Sequence, residues 1–224
     1  MMKRSVIFSL LFLSVQIYAS GMVPETSVLL IDAEKGEASM NVTNTDSRPA
    51  LLYTNIVDLP ESDKSVRLIV SQPVVRVEAG AVQRMRFILQ TQKPLMQEEL
   101  KRVTFEGIPP KKKGKERLAV TIRQDLPVII HPAGLAQDLT PWKHLKWHKQ
   151  GSSLVVTNPS SYVVRMATGF TSLPSGKHGA LKTTYLLPQS SMTVTLPNKA
   201  DTKVEFYPAS RYGYKGERYI APLQ

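Results

Sequence analysis

The chain has 224 residues, 42% of them apolar, no cysteine and a formal net charge of +11. That length fits one or two domains with packed cores. The absence of cysteine excludes a disulfide framework and a thiolate zinc site, and the basic balance favours anionic partners in general.

In chain order, Lys3 and Arg4 precede an apolar run from Val6 to Val15 broken only by Ser9 and Ser14. Ala19-Ser20-Gly21 then supplies small residues at a cleavage spacing. This pattern predicts a secretory signal peptide over residues 1–21. Its apolar core, about ten residues, is too short to span a bilayer. Nothing later in the chain is apolar for long enough to insert into a membrane. Removing Lys3 and Arg4 takes the charge from +11 to 11 − 2 = +9. Nucleic acid is a poor partner for an exported protein, and no aromatic-interleaved basic motif of the RNA-binding kind occurs.

Short strands follow. Thr26 to Ile31 reads as the first, and Ala38, Met40 and Val42 alternate with polar residues as the second. Asn44 to Pro49 is a turn cluster. Leu51–Val57, Val66–Val70, Val74–Val77 and Arg84–Leu89 read as further strands, with Glu78-Ala79-Gly80 a turn. Gln97 to Arg102 reads as a short helical turn before a strand at Val103–Phe105. No amphipathic helix of 12 residues is evident.

The segment Glu116–Pro132 is long for a strand, against the usual 5–6 residues or so. Leu118, Val120 and Ile122 alternate with Ala119, Thr121 and Arg123, which places the three bulky residues on one face. Pro127 interrupts the run before Val128-Ile129-Ile130. A proline removes a ladder donor, so an unpaired edge or a bulge is expected there. The alternation serves equally for residues facing the chain's own core or for a strand lent to another chain. Ile108-Pro109-Pro110 and the lysines at 111, 112, 113 and 115 precede the segment.

Residues 134–141, with Gly134 and Pro141, read as a linker between a domain over 22–133 and a second over 142–224. The strand pattern restarts at Ser153–Thr157 and Tyr162–Ala167, with Pro174–Gly179 a loop. It continues at Thr183–Leu187, Ser191–Leu196, Val204–Tyr207 and Arg218–Ala221. Short strands at roughly 8–12-residue spacing predict an all-β fold of two sandwiches.

The motifs resemble those of the periplasmic chaperones of the chaperone–usher pilus pathway. The resemblance rests on Arg76-Val77-Glu78-Ala79-Gly80 followed by Arg84-Met85-Arg86, and on Gln97-Glu98-x-Leu100 ending in Ile108-Pro109-Pro110. It also rests on Thr157-Asn158-Pro159-Ser160-Ser161-Tyr162 and on Leu187-Pro188-Gln189-Ser190. Their order and spacing over both halves carry the match. The resemblance implies two immunoglobulin-like domains in an L-shaped arrangement, located in the periplasm. It implies a protein without enzymatic activity or cofactor, whose partners are a pilus or fimbrial subunit and an outer-membrane usher. A subunit lacking its last strand exposes an apolar groove and unpaired backbone groups. The chaperone lays its own strand there until the usher receives the subunit.

By this resemblance Leu118, Val120 and Ile122 are the donor residues. Relatives anchor the subunit's terminal carboxylate with two cations, but the aligned positions here hold Ser27 and Pro127. Arg84, Arg86 and Arg123 are the substitute candidates, since a guanidinium suits a carboxylate. Glu98 matches the family's acidic residue, whereas His131 stands where relatives have an arginine, and Arg102 and Thr104 replace an aromatic and an asparagine.

His144 and His148 have a metal-like spacing, but lysines surround them and no carboxylate ligand follows. Trp142 and Trp147 are read as sealing the start of the second domain. Neither a Gly-x-Ser-x-Gly elbow nor a glycine-rich phosphate loop occurs. The alternative reading is an exported structural or adhesive protein of two immunoglobulin-like domains. An apolar open edge also invites self-capping by dimerisation.

Overall fold

The computed structural model describes residues 21–110 and 121–224. The predicted signal peptide up to Ser20, the expected donor residues Leu118 and Val120, and the lysine run at 111–115 lie outside the described residues.

The first half contains β1 (Met22–Pro24), β2 (Leu29–Asp32), β3 (Glu37–Asn44), β4 (Ala50–Asp58), β5 (Val66–Val70), β6 (Val74–Val77), β7 (Val82–Thr91), β8 (Glu99–Ile108) and β9 (Arg123–His131). They form two sheets, ordered β1-β3-β7-β5 and β2-β9-β8-β4-β6. The alternation read from the sequence sets the packing. Met40 and Val42 of β3 and Met85 and Phe87 of β7 face Leu52 of β4, Val103 and Phe105 of β8 and Val128 and Ile130 of β9. Phe87 meets Phe105 edge-on, with ring centroids 6.4 Å apart.

The second half contains β10 (Lys146–Gln150), β11 (Ser153–Asn158), β12 (Val164–Leu173), β13 (Lys177–Ala180), β14 (Tyr185–Leu186), β15 (Ser190–Thr195), β16 (Lys203–Pro208) and β17 (Tyr219–Pro222). The sheet β10-β11-β15 packs on β13-β12-β16-β17, with β14 on the side of β12. Trp147 is buried at the centre of this core, 5.3 Å from Phe206 between ring centroids, and Trp142 packs against its edge. Both tryptophans thus seal the start of this half. The fold is all-β, two immunoglobulin-like sandwiches in tandem. The one helical segment among the described residues is a single 3-10 turn, Pro141–His144.

Each half fixes a turn with one buried asparagine. Asn44 Nδ2 donates to the carbonyls of Arg48, Val77 and Glu78. Asn158 Nδ2 donates to those of Tyr162, Leu186 and Leu187. Buried carbonyls need donors, and each of these amides shares its two N–H groups among three carbonyls.

Two expectations need correction. The helical turn at Gln97–Arg102 does not form: Gln97 and Glu98 are irregular, and Glu99–Arg102 is the start of β8. Its charges face specific partners rather than solvent: Lys101 is fully buried and its ammonium meets Asp58 Oδ1 at 2.6 Å. The loop at Pro174–Gly179 gives way at Lys177 to β13, which pairs with β12 from Gly169 to Ser172. Its largely exposed, polar sequence carries no alternation. Elsewhere the elements stand but their limits move. The first predicted strand begins later, at Leu29, and Thr183–Leu187 shrinks to Tyr185–Leu186.

Candidate functional site

Two features of β9 define the site. Along one side it pairs antiparallel with β8 from Arg123↔Glu106 to Ile130↔Glu99. Along the other it pairs with β2 only from Val128, in parallel register Leu29↔Val128 to Asp32↔His131. Among the described residues, the stretch Arg123–Leu126 therefore has no strand on its outer side. Pro127 stands at the boundary, where the unpaired edge was expected. Ile122, just before β9, is 42% exposed, while Val128 and Ile130 of the same alternating series are fully buried. The series runs out of the core before it reaches Ile122. A cavity of about 610 Å³ lies along the open stretch, lined by Thr26, Val28, Gln124, Leu126, Tyr212 and Tyr214.

The two halves meet on the other face of β8 and β9. Parity explains this: Val103 and Phe105 point to the first core, so Glu98, Leu100 and Arg102 point away from it. Leu100 packs with Val28, Leu59, Ile129 and Val163 in a small apolar cluster at the junction. Glu98 is buried there. Its Oε2 accepts from the Val163 amide at 2.9 Å, and its Oε1 accepts from Arg211 Nη1 at 2.8 Å and contacts His131 Nδ1 at 2.9 Å. His131 Nε2 contacts the Leu135 carbonyl at 2.9 Å. A carboxylate bonded from both domains fixes their contact, because its loss would strand Arg211 and a backbone N–H without an acceptor.

The arginine candidates divide. Arg84 and Arg86 lie on β7 and line one cleft together with Lys35, Glu37, His131 and Arg211. Both are already engaged: Arg84 Nε donates to Ser39 Oγ at 2.9 Å, and Arg86 forms an ion pair with Glu37. Arg123 is exposed at the start of β9 and does not line that cleft. The structure thus brings Arg84 and Arg86 together, but not Arg123 with them.

Ser27 and Pro127 line a second cleft, between the domains. Ser27 Oγ donates to the Tyr212 carbonyl at 3.0 Å, so a loop of the second domain is fastened to the segment before β2. Gly213 makes that approach possible. Its φ of +87° suits glycine, and a Cβ there would lie 2.4 Å from Ser27 Oγ. The same cleft holds three cations that no local pattern groups: Arg102, Arg165 and Lys215. Arg102 Nε donates to Asp125 Oδ1 at 2.8 Å. Lys215 sits over the Tyr207 ring, 4.0 Å from its centroid. Among the described residues, Arg165 Nη1 is buried without a hydrogen-bond partner. Burial, and then the like charge of Arg102, push the Arg165 guanidinium below its usual pKa. Arg165 stands between buried Val164 and Met166 in β12, a local pattern that reads only as one outward position of a strand.

His144 and His148, spaced like metal ligands, fall on different elements. His144 is in the 3-10 turn, with Nε2 2.8 Å from Asp138 Oδ2, and His148 is in β10 opposite Val155. No cluster of three metal-ligating side chains occurs among the described residues.

Comparison with known proteins places this arrangement. The N-terminal domain model of the pili and flagellar-assembly chaperones, PapD type, matches residues 21–136, and the corresponding C-terminal domain model matches residues 140–219. The uncharacterized fimbrial chaperone YhcA of Escherichia coli K12 is 61% identical over 211 residues, covering 94% of each chain. The chaperone protein MrkB of Klebsiella pneumoniae is 28% identical, over 87% of this chain and 88% of its own. Among solved structures, the YadV chaperone superposes with a TM-score of 0.74 at 23% identity, covering 90% of this chain and 99% of its own. The Salmonella enterica SafA pilin–SafB chaperone complex gives 0.75 at 19% identity, covering 94% and 99%. Two domain models in sequence and a relative matched over 94% of its length agree with the tandem sandwiches, and the chain belongs to the family of pili-assembly chaperones.

Proposed function

We propose that this chain is a periplasmic chaperone that holds a fimbrial subunit by lending it the open edge ahead of β9, and that it passes the subunit to an outer-membrane usher. The observation that supports this most is the half-paired strand. Arg123–Leu126 presents free backbone groups on one side, and the alternating series before it leaves the core at Ile122. An edge of this kind pairs readily with another chain. A subunit short of one strand has the complementary need, because its unpaired backbone and apolar groove are unfavourable in water. Pairing satisfies the backbone, and side chains on alternate positions fill the groove.

In this reading residues 1–21 are the export leader, 22–133 the capturing domain, 134–141 the linker and 142–224 the second domain. Leu118, Val120 and Ile122 are the donor residues. Each would gain about 1.5–3 kcal/mol on full burial in a subunit groove. Arg84, Arg86 and Arg123 are the anchors the sequence offers for the subunit's carboxylate. Of these three, Arg123 alone lies on β9, directly after Ile122.

The test is Ile122→Glu, alone and with Leu118→Glu, in a tagged chain co-expressed with its fimbrial subunit. Recovery of the subunit from periplasmic extract should be lost while the thermal melt of the chaperone is unchanged. Undiminished recovery with the folded variant would show that the subunit is held elsewhere.

A further inference from the structure

The second domain carries most of the charge. Within residues 142–224 eleven lysines and arginines stand against three carboxylates, Asp201, Glu205 and Glu217, so this domain holds +8 of the +9 left after the leader. Strand direction shows where much of that charge goes. β12 starts at Val164, next to the junction residue Val163, and runs 10 residues away from it, about 30 Å at the usual rise per residue. β16 runs back antiparallel to it from Lys203. The turns at 151–152 and 174–176 and the loop at 196–202 therefore gather at the end of the sandwich farthest from the first domain. They are tied to one another. The Leu196 amide donates to the Ser152 carbonyl at 3.0 Å, the Ser175 amide and hydroxyl donate to the Asp201 carboxylate, and Lys149 Nζ donates to the Lys199 carbonyl at 3.1 Å.

Lys149, Lys177, Lys199 and Lys203 lie on this end, the last three exposed. Carboxylates are withdrawn from it. Asp201 is fully buried and held by Ser175. Glu205 is paired with Arg218, and Glu217 follows Gly216, whose amide bonds to Pro208 at the junction end of β16. Gln224, whose carbonyl accepts from the Lys149 amide, adds at most the chain's terminal carboxylate, which four lysines outweigh. The make-up of this end says which kind of anion it suits. All four cations are lysines, point charges without the planar fork that arginine offers to one carboxylate or phosphate. Among the described residues no large apolar side chain is exposed on these turns. Protein interfaces, by contrast, are depleted in lysine and anchored by aromatic and arginine side chains. A lysine surface without an apolar anchor suits many mobile anionic headgroups, where charge matters and fixed geometry does not.

We infer that the far end of the second domain docks reversibly on the surface of a membrane containing anionic phospholipid, through Lys149, Lys177, Lys199 and Lys203. Each lysine near such a surface strengthens binding about fivefold, so the four together give a weak attachment without insertion. Salt screens it. The junction and the open edge of β9 lie beyond the opposite end of this domain, so a docked chain keeps its capturing edge clear of the lipid. That consequence rests on the proposed function; the docking does not.

Flotation of the mature chain with lipid vesicles tests the docking. The chain should rise with vesicles of equimolar phosphatidylglycerol and phosphatidylethanolamine, stay behind with vesicles of phosphatidylcholine, and come off the anionic vesicles as sodium chloride is added. Lys199→Gln combined with Lys203→Gln should weaken binding about twenty-five-fold with an unchanged thermal melt. Lys64→Gln combined with Lys93→Gln, exposed positions of the first domain, should leave it unaltered. No flotation with the anionic vesicles overturns the inference. So does equal weakening by the two pairs, which would mean that net charge binds and this end does not. Subunit recovery separates a lipid surface from an acidic protein. The Lys199→Gln and Lys203→Gln chain should recover the co-expressed subunit as fully as the unaltered chain does. Loss of the subunit would make this end a subunit contact and overturn the lipid assignment. The vesicle measurement contains no subunit, so its outcome stands whether Ile122→Glu upholds the chaperone reading or sinks it.

Discussion

The two halves of β9 differ in one respect, the presence of β2. Val128–Ile130 has a strand on each side, and Val128 and Ile130 are fully buried. Among the described residues Arg123–Leu126 has β8 alone, and Ile122 just before it is exposed. The sequence alternates in the same way through both, so alternation fixes which face is apolar and does not determine whether that face is covered. Cover depends on what the fold supplies at each edge.

Substitutions of equal size should therefore have unequal consequences. Ile130→Ala removes three carbons from the first core and should destabilise that domain by about 2–5 kcal/mol. Ile122→Ala removes the same atoms from an exposed site and should change stability by no more than about 0.5 kcal/mol. Urea unfolding followed by circular dichroism measures both. Equal losses would mean that Ile122 is a core residue and that the contrast between the halves is wrong.

That contrast also marks how far the sequence could be read. Strands β3 to β7 and β11 were legible because Met40, Val42, Leu52 and Leu154 recur at period two between recognisable turns. The start of β8 was not, because Glu98, Lys101 and Arg102 look like a solvated charged stretch. Their burial follows from Asp58, Arg211 and Asp125, partners distant in sequence. For β10 only Trp147 is buried among polar neighbours, so no alternation appears. The open edge was foreshadowed by Pro127, a local signal. The cation cluster around Arg165 had no local signal, since it forms only when β8 and β12 of different domains face each other.

Hydrogen exchange gives a finer comparison along the same strand. In an antiparallel pair alternate amides point to the partner and the others point away. The stretch Val128–Ile130 has partners on both sides, and its amides should exchange only on global unfolding of the domain. In the stretch Arg123–Leu126, the amides that point away from β8 should exchange orders of magnitude faster. Uniform protection through the whole strand would show that its outer edge is covered in solution, as it would be in a self-paired dimer.

The smallest effect asked of the molecule is at the boundary itself. Two features stop β2 from continuing along β9 toward Arg123. Pro127 has no N–H to offer, and the segment before β2 is drawn toward the second domain by the bond from Ser27 Oγ to the Tyr212 carbonyl. Pro127→Val restores the donor and favours an extended backbone, but also gives the unfolded chain more freedom. These terms oppose each other, and the net change in stability should stay within about 1 kcal/mol. Exchange at Leu126 is more telling. If Pro127 is the stop, the valine variant lets Ser27 and Val28 pair onward, Leu126 becomes protected, and subunit recovery falls because the open edge is shorter. If Leu126 exchanges as before, the hold on Ser27 is the stop, and the second domain keeps the capturing edge of the first one open.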